Sequence, residues 1–477
     1  MKRLIQTILG IFSLWLAANG HLFAQESSEA AFVRVSSVDS HYFELSDGSP
    51  FIPIGLNLSA MGNLDTEQGL GRMEGWLTSL SNHGGNFARV WLSSPFWDVE
   101  HEASGRYDPE KAKRIDALLK MARRHGIRLK LTLEHFREID PESGYSKGWA
   151  LKSLHHVSRG GTATSMTDWF EGEESRKRFE KKLDWFSNRY GNDPYVFGWE
   201  LWNEVNAARS GSYLDWTEHM LLELDRRFPK NLVMQSLGSF DRPGNRQTYE
   251  EMVTLEGNEV AQVHRYLDLG AELEICHGPV DLLCAEAIRE LIAMEPDRPI
   301  LLAESGAVQP RHTGPFELYS KDTEGMILHD VLFAPFFAGA AGTGQIWHWE
   351  HYVNRNDLWR HFDRFAEAVA KIAPAEEAFR PTMLAHSRLR VYVLNGKETA
   401  LLWCRDSQNT WKTELDEGIP PERLDDVTID ISSLEVPEII SIRGYDPWED
   451  RWSEIPYDHG ELRLPSFRRS YVLRIEQ

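Results

Sequence analysis

The chain has 477 residues, 42% of them hydrophobic, and a formal net charge of −21 at pH 7. That length supplies a large core and calls for two or three domains, or one large barrel with an accessory module. The acidic balance argues against nucleic acid and anionic lipid as partners, and against strongly anionic polysaccharides outside a local basic groove. Seventeen Trp residues suit either a large core or flat apolar platforms for a ligand such as a sugar ring.

The first residues, MKRLIQTILGIFSLWLAANGHLFAQ, place Lys2 and Arg3 ahead of an apolar run and small residues. This pattern predicts a signal peptide over residues 1–24, cut after Ala24, because the run is short for a membrane span. An uncleaved anchor is the alternative. The mature chain is expected to be secreted or periplasmic, without stable membrane insertion. Cys276, Cys284 and Cys404 allow one bridge at most. Cys276 and Cys284 are close enough in sequence to pair, or both stay buried thiols; no C-x-x-C zinc spacing is present.

From about residue 32, strand-like and helix-like segments alternate. The hairpin VDSHYFELSDGSPFIPIG turns at Asp47-Gly48. Apolar runs ending in polar residues follow at 51–57, 86–92, 127–135, 195–204, 231–236, 260–266, 299–305 and 344–350. The clearest helix is 108–126, with Asp108 as N-cap, Pro109 at its first position and Gly126 closing it. Ala112, Ile115, Leu118, Leu119 and Ala122 form its apolar stripe. Further helices are expected near 173–190, 212–227, 280–294, 323–337 and 357–372.

Eight strand–helix units predict an α/β fold, a (β/α)8 TIM barrel over residues 32–375. A doubly wound open sheet is the alternative. Against it, no glycine-rich phosphate loop follows the first strand, and GLGRMEG (69–75) has the wrong spacing. From 376 to 477 the pattern changes to alternating strands, including a turn at Asn395-Gly396. These residues are expected to form a small C-terminal antiparallel, sandwich-like β-domain that braces the barrel, with sugar binding as the alternative role.

In such a barrel the active site lies at the carboxyl ends of the strands. Those ends carry Asn57, Arg89, Trp91, Glu134, His135, Asn203, Glu204, His264, Tyr266, Glu304, Trp347 and Trp349. The stretch FGWELWNEVN (197–206) puts Glu200 and Glu204 in the most aromatic part of the chain, where an unpaired carboxylate is costly. Glu204 on the fourth strand and Glu304 on the seventh are expected to face each other across the barrel. Two opposed carboxylates suit hydrolysis of a glycosidic bond, one protonating the leaving oxygen and one attacking carbon or activating water. An apolar surrounding is expected to hold Glu204 protonated. Glu200, four residues earlier on the same face, is read as a structural acid paired with Arg89.

WNE on the fourth strand and AES on the seventh resemble the clan A retaining (β/α)8 glycoside hydrolases, most closely the cellulase/mannanase-type family 5. The resemblance spans about residues 50–370. It implies that Asn203-Glu204 is the pair carrying the acid/base and that Glu304 in LLAESG is the nucleophile. Arg89 in NFARVWL would hold that nucleophile ionised, and Tyr266 in VHRY would hydrogen-bond it. His264 matches the sixth-strand histidine, and His135 the histidine after the third strand. Trp347 or Trp349 in IWHWE would lie under the −1 sugar. GGNFARVWL and HDVLFAPFFAGAAGTGQIWHWE also resemble a cellulase-like bacterial branch, while no mannanase- or cellulase-specific signature stands outside the shared core.

The implied activity is hydrolysis, with retention, of a β-linked polysaccharide or oligosaccharide of β-mannan or β-glucan type, without metal or organic cofactor. The carboxyl groups are then expected about 5–5.5 Å apart, with Asn203 on the sugar 2-hydroxyl. The long 136–172 segment contributes Trp149 and Trp169 as candidate sugar platforms, beside Trp91 and Trp97. His348, Glu350 and His351 look faintly metal-like but are not expected to share one face. An exo-acting β-mannosidase- or β-galactosidase-like enzyme and a noncatalytic carbohydrate-binding barrel are the alternatives.

Overall fold

The structure is a computed structural model that describes residues 30–59, 64–135, 139, 153–208, 210–434 and 439–477. The leader read in residues 1–24 and Trp149 lie outside the described residues.

Short buried strands alternate with helices to build the expected barrel. Gly55–Asn57, Phe87–Trp91, Arg128–His135, Val196–Asn203 and Leu232–Met234 form one parallel sheet in chain order. Ala261–His264 and Ile300–Glu304 form a parallel pair beside it. Backbone N–H groups of Glu259 and Phe240 donate to the carbonyls of Val233 (3.1 Å) and His264 (2.8 Å), joining the two sheets.

The eighth position differs from the expected strand over 344–350. It is a short irregular segment that bonds both neighbours. Gln345 N–H donates to the Leu302 carbonyl (2.9 Å), Ser305 N–H to that of Gln345 (3.0 Å), and Asn57 N–H to that of Ile346 (3.1 Å). The barrel is thereby closed. The local reason is glycine. A Cβ on Gly344 would stand 2.4 Å from the Val331 carbonyl oxygen, so this backbone lies against the helix Met326–Phe337 at a distance no side chain permits. Chain pressed that close has no room for regular pleating.

The helix Pro109–His125 follows its sequence signals. Asp108 accepts from the N–H groups of Glu110 (2.7 Å) and Lys111 (3.3 Å), and Gly126 ends it at φ +67°. Glu173–Tyr190, Tyr213–Arg227 and Val280–Ile292 lie where periodicity puts them, while Arg360–Ala368 is shorter than expected. Among the helices that went unforeseen are Met166–Glu171, inside the expected 136–172 loop, and Arg246–Val253. Both are too short to show a period. Met326–Phe337 is buried at every position, which removes the polar face by which a helix is usually recognised.

The C-terminal residues form a six-stranded antiparallel sheet in the order Arg380–Leu384, Leu389–Asn395, Thr399–Asp406, Ser470–Glu476, Ser441–Asp446, Arg451–Glu454. Tyr392, Leu401, Trp403 and Val472 on one face join the core of the barrel. Val391, Val393, Leu402 and Leu473 face a second core under two small sheets. Residues 32–477 thus pack as one compact unit. Cys276, Cys284 and Cys404 are buried free thiols.

The seam contains buried ion pairs. Arg405 Nε and Nη2 donate to Asp330 (2.8 and 3.2 Å), and Arg390 reaches Asp281 at 2.5 and 2.8 Å, with Tyr392 adding a 2.8 Å bond. Removing one partner of a buried pair leaves the other charge uncompensated. Arg405→Met is therefore expected to lower the unfolding free energy by about 3 kcal/mol. Adding Asp330→Leu should recover part of that loss, measured by urea denaturation of both variants.

Candidate active site

Arg89 projects from the second barrel strand into the barrel axis, with no exposed surface. Its Nε and Nη2 donate to Glu200 Oε2 (2.9 and 2.6 Å), and Nη2 also reaches Asn203 Oδ1 (2.6 Å). Its Nη1 donates to Glu304 Oε1 and to Asn57 Oδ1 (3.3 Å). Glu200 further accepts from Thr132 Oγ1 (2.5 Å) and meets Lys130 Nζ (3.1 Å), which donates to Gln262.

The acid in the aromatic stretch is thus paired, as read, and the cluster is electrostatically determined. Burial alone would raise the Glu200 carboxyl, but Arg89, Lys130 and Thr132 hold it far below the usual carboxylate range. Burial pushes the Lys130 ammonium down to about 7 against the pull of Glu200. Because Arg89 can only donate, the Asn203 atom facing it is the carbonyl oxygen, which turns the amide NH2 away from Arg89.

Glu304 ends the seventh strand, 3% exposed. Tyr266 Oη donates to its Oε2 at 2.6 Å while Arg89 holds Oε1. Burial opposes its ionisation, but His264, Arg89 and Tyr266 outweigh burial and hold the carboxyl below its ordinary value. Burial and the Glu304 charge push the Tyr266 phenol well up, so it stays a donor.

Glu204 stands one residue past the fourth strand at φ +52°, a left-handed conformation uncommon for a side-chain-bearing residue. Its N–H donates to Ser236 Oγ (3.2 Å), and its Oε1 meets His264 Nδ1 at 2.8 Å. The expectation of an apolar surrounding is corrected here: the side chain is 16% exposed and bonded to an imidazole. His264 Nδ1 also lies 3.5 Å from Glu304 Oε2. One oxygen of each glutamate and a ring nitrogen of His264 lie within 4.8 Å of one another.

Among the described residues, this trio and the buried group Glu100, Glu134 and His155 are spaced closely enough to gather a cation. Both already contain positive charge. Arg89 sits on Glu304, and Lys182 Nζ binds Glu134 and lies 3.2 Å from Glu100. A cation would have to compete with those groups.

The aromatic candidates divide. Trp91 stacks on His135 (4.6 Å, 29°) and meets Trp347 (4.8 Å, 43°), while His135 Nδ1 lies 2.6 Å from Ser93 Oγ. Trp347 is half-buried and keeps an open surface. Trp349 is 6% exposed and packs edge-on against Trp76. The platform role expected of Trp91, Trp97 and Trp169 is corrected: Trp91 is 2% exposed beneath His135 and Trp347, and Trp97 and Trp169 are fully interior, against Phe96 and His155 respectively. A ring without an exposed face cannot stack on a sugar. Asn57 stands at its strand end as read, while Lys130, Thr132 and Gln262 are neighbours of the site that the sequence reading missed. In IRLKLTLEH the alternation of Lys130 and Thr132 with Leu129, Leu131 and Leu133 was the available signal, since a strand shows one face to the axis and the other to the helices.

No protein-family model matches the chain. In sequence it is similar to mannan endo-1,4-beta-mannosidase 4 of Oryza sativa subsp. japonica, 29% identical over 183 residues. That match covers 36% of the chain and 38% of the rice protein, so the chain spans well under half of this relative's length. A solved structure described as a glycoside hydrolase has a TM-score of 0.60 at 11% identity, covering 94% of the chain and 97% of its own. The endo-beta-1,4-mannanase from Thermotoga petrophila has a TM-score of 0.50 at 15% identity, with 88% and 97% covered. The likenesses bear out the barrel fold and the resemblance to clan A, family 5-like glycoside hydrolases.

Glu200 is a carboxylate whose folded value is depressed, so its contribution to stability is present above its unfolded value near 4.3 and lost as pH falls towards the folded one. Glu200→Gln is expected to cost about 3 kcal/mol at pH 7. That deficit should shrink on acidification below about pH 4, in guanidinium unfolding curves taken across pH.

Proposed function

We propose that the chain is a retaining β-glycoside hydrolase acting on β-mannan or its oligosaccharides. The spacing of the two carboxylates carries this reading. Oxygens of Glu204 and Glu304 lie within 4.8 Å, in keeping with the tight pair of a retaining enzyme. An inverting enzyme holds its carboxyl groups roughly 6.5–9.5 Å apart to admit water between the general base and the sugar.

The environments divide the labour. Glu304, fixed at both oxygens by Arg89 and Tyr266, is the ionised nucleophile. It attacks the anomeric carbon as Glu204 gives its proton to the departing glycosidic oxygen. Glu204, now a carboxylate beside His264, then takes a proton from water. The resulting hydroxide displaces Glu304 from the anomeric carbon, and the sugar leaves with its configuration retained. The Asn203 amide NH2, turned away from Arg89, is available to the sugar 2-hydroxyl, and Trp347 offers the apolar face beneath the ring. The likeness to mannan endo-1,4-beta-mannosidase 4 of Oryza sativa favours mannan over glucan. The N-terminal pattern supports action outside the cytoplasm.

The test compares wild type, Glu304→Ala and Glu204→Ala on β-mannan, β-glucan and aryl β-glycosides. Mannan should be hydrolysed by wild type, with kcat at least about 10³-fold lower in Glu304→Ala. Azide should restore turnover of an aryl mannoside in both variants with opposite stereochemistry. In Glu204→Ala it attacks the glycosyl-enzyme and gives the β-azide, whereas in Glu304→Ala it displaces the aryl oxide directly and gives the α-azide. A wild type that binds mannan but is as inert as its variants would support the carbohydrate-binding barrel instead.

Tyr266→Phe removes a donor that favours ionised Glu304. Glu304 should then hold its proton to higher pH. The acid limb of the kcat/KM profile is expected to move up by about one unit.

A further inference from the structure

A histidine outside the matched motifs stands at the edge of the same site. Beyond the seventh strand, the segment after Glu304 forms a narrow loop in which Gln309 N–H donates to the Gly314 carbonyl (2.9 Å). At its tip Arg311 (φ +61°) and His312 (φ +57°) are consecutive left-handed residues with side chains, a conformation that persists only where surroundings impose it. The constraint is Asp268, 2% exposed. Its Oδ1 accepts from the N–H groups of Gly270 (2.7 Å) and Arg311 (2.9 Å), and its Oδ2 lies 3.6 Å from His312 Nε2.

That arrangement aims the imidazole. His312 meets the ring of Tyr266 edge-on at 4.8 Å and 84°, behind the phenol that binds Glu304. Its Nε2 also lies 3.4 Å from Ser239 Oγ. The neighbouring Gly238 abuts the acid/base: a Cβ there would stand 3.7 Å from the Glu204 carboxyl carbon. His312 is thus linked to the Glu204 side of the site through Ser239 and the adjoining Gly238, and its side chain is still 37% exposed. A polar group held near the acid/base side, open to solvent and unused by the hydrolytic steps, suits the hydroxyl groups of a leaving sugar.

We infer that His312, positioned by Asp268, is a specificity-determining residue that binds the sugar unit on the leaving-group side of the scissile bond. The inference rests on the proposed glycosidase reading. Its test uses two substrates of the full-length protein with the same glycosyl half: a β-1,4-mannooligosaccharide, whose leaving group is a sugar, and an aryl β-mannoside, whose leaving group has no sugar hydroxyls. His312→Ala should lower kcat/KM on the oligosaccharide about 10-fold or more and change it less than about 3-fold on the aryl mannoside. Asp268→Asn keeps an Oδ1 acceptor for both backbone N–H groups while removing the charge beside His312. It should shift the oligosaccharide in the same direction by a smaller factor, with an unchanged melting temperature. An equal fall on both substrates would mean that His312 acts through Tyr266 and Glu304, and would overturn the assignment, as would no fall on either. A wild type inert on both substrates would overturn the glycosidase reading itself, and this inference with it.

Discussion

One guanidinium organises the centre of this molecule. Arg89 is completely buried, and its donors reach two carboxylates, two amide oxygens and a hydroxyl from four other barrel strands. Desolvating such a group is costly and is offset only if its donors are matched. Here the matching spans the first, second, third, fourth and seventh strands, so the ion network and the barrel register specify each other. Lysine could carry the charge but not the planar fork that places Glu200, Asn203 and Glu304 at fixed angles.

The same network makes the two active-site acids unequal. Glu304 is held through both oxygens and sheltered from water, so its charge is set and its carboxylate cannot rotate. Glu204 is bound through one oxygen to His264, reaches solvent, and hangs from a backbone turned left-handed. The protein locks the group that must stay ionised. It leaves accessible the group that must lose and regain a proton in each cycle. His264 Nδ1, between the two, couples them without placing like charges in direct contact.

Much of this was legible because the chemistry coincides with sequence position. A strand end fixes where a residue lies, so Arg89, Asn203, Glu204, Tyr266 and Glu304 could be placed from the apolar runs before them. Parity put Glu200 on the same face as Glu204 but deeper in the barrel, where Arg89 is its partner. What resisted reading had lost its pattern for physical reasons. Lys130 and Gln262 lie within their strands, below the carboxyl ends where the site was sought, and are charged or polar where barrel interiors are usually apolar. Trp97 and Trp169 are indistinguishable in sequence from surface platforms, since burial depends on what folds over them. Between Trp347 and Trp349, two residues apart, only packing decides which ring keeps an open face.

The eighth segment shows why the C-terminal sheet bears on the site. Trp347 sits on chain that is not a regular strand, so no ladder of its own fixes it. Its N–H donates to the Ser305 carbonyl at 3.0 Å, and the backbone three residues earlier is pressed on Val331. Val331 belongs to the helix Met326–Phe337, which has no solvent face. The sheet holds that helix through Asp330 with Arg405 and through His329, whose Nε2 lies 2.8 Å from Ser470 Oγ. A continuous path of packed and bonded groups therefore runs from Arg405 to the ring of Trp347. The C-terminal residues buttress the barrel, through this helix, where its wall is least regular, and loosening the sheet there would be felt first at the aromatic platform rather than at Glu304, which the Arg89 network holds independently.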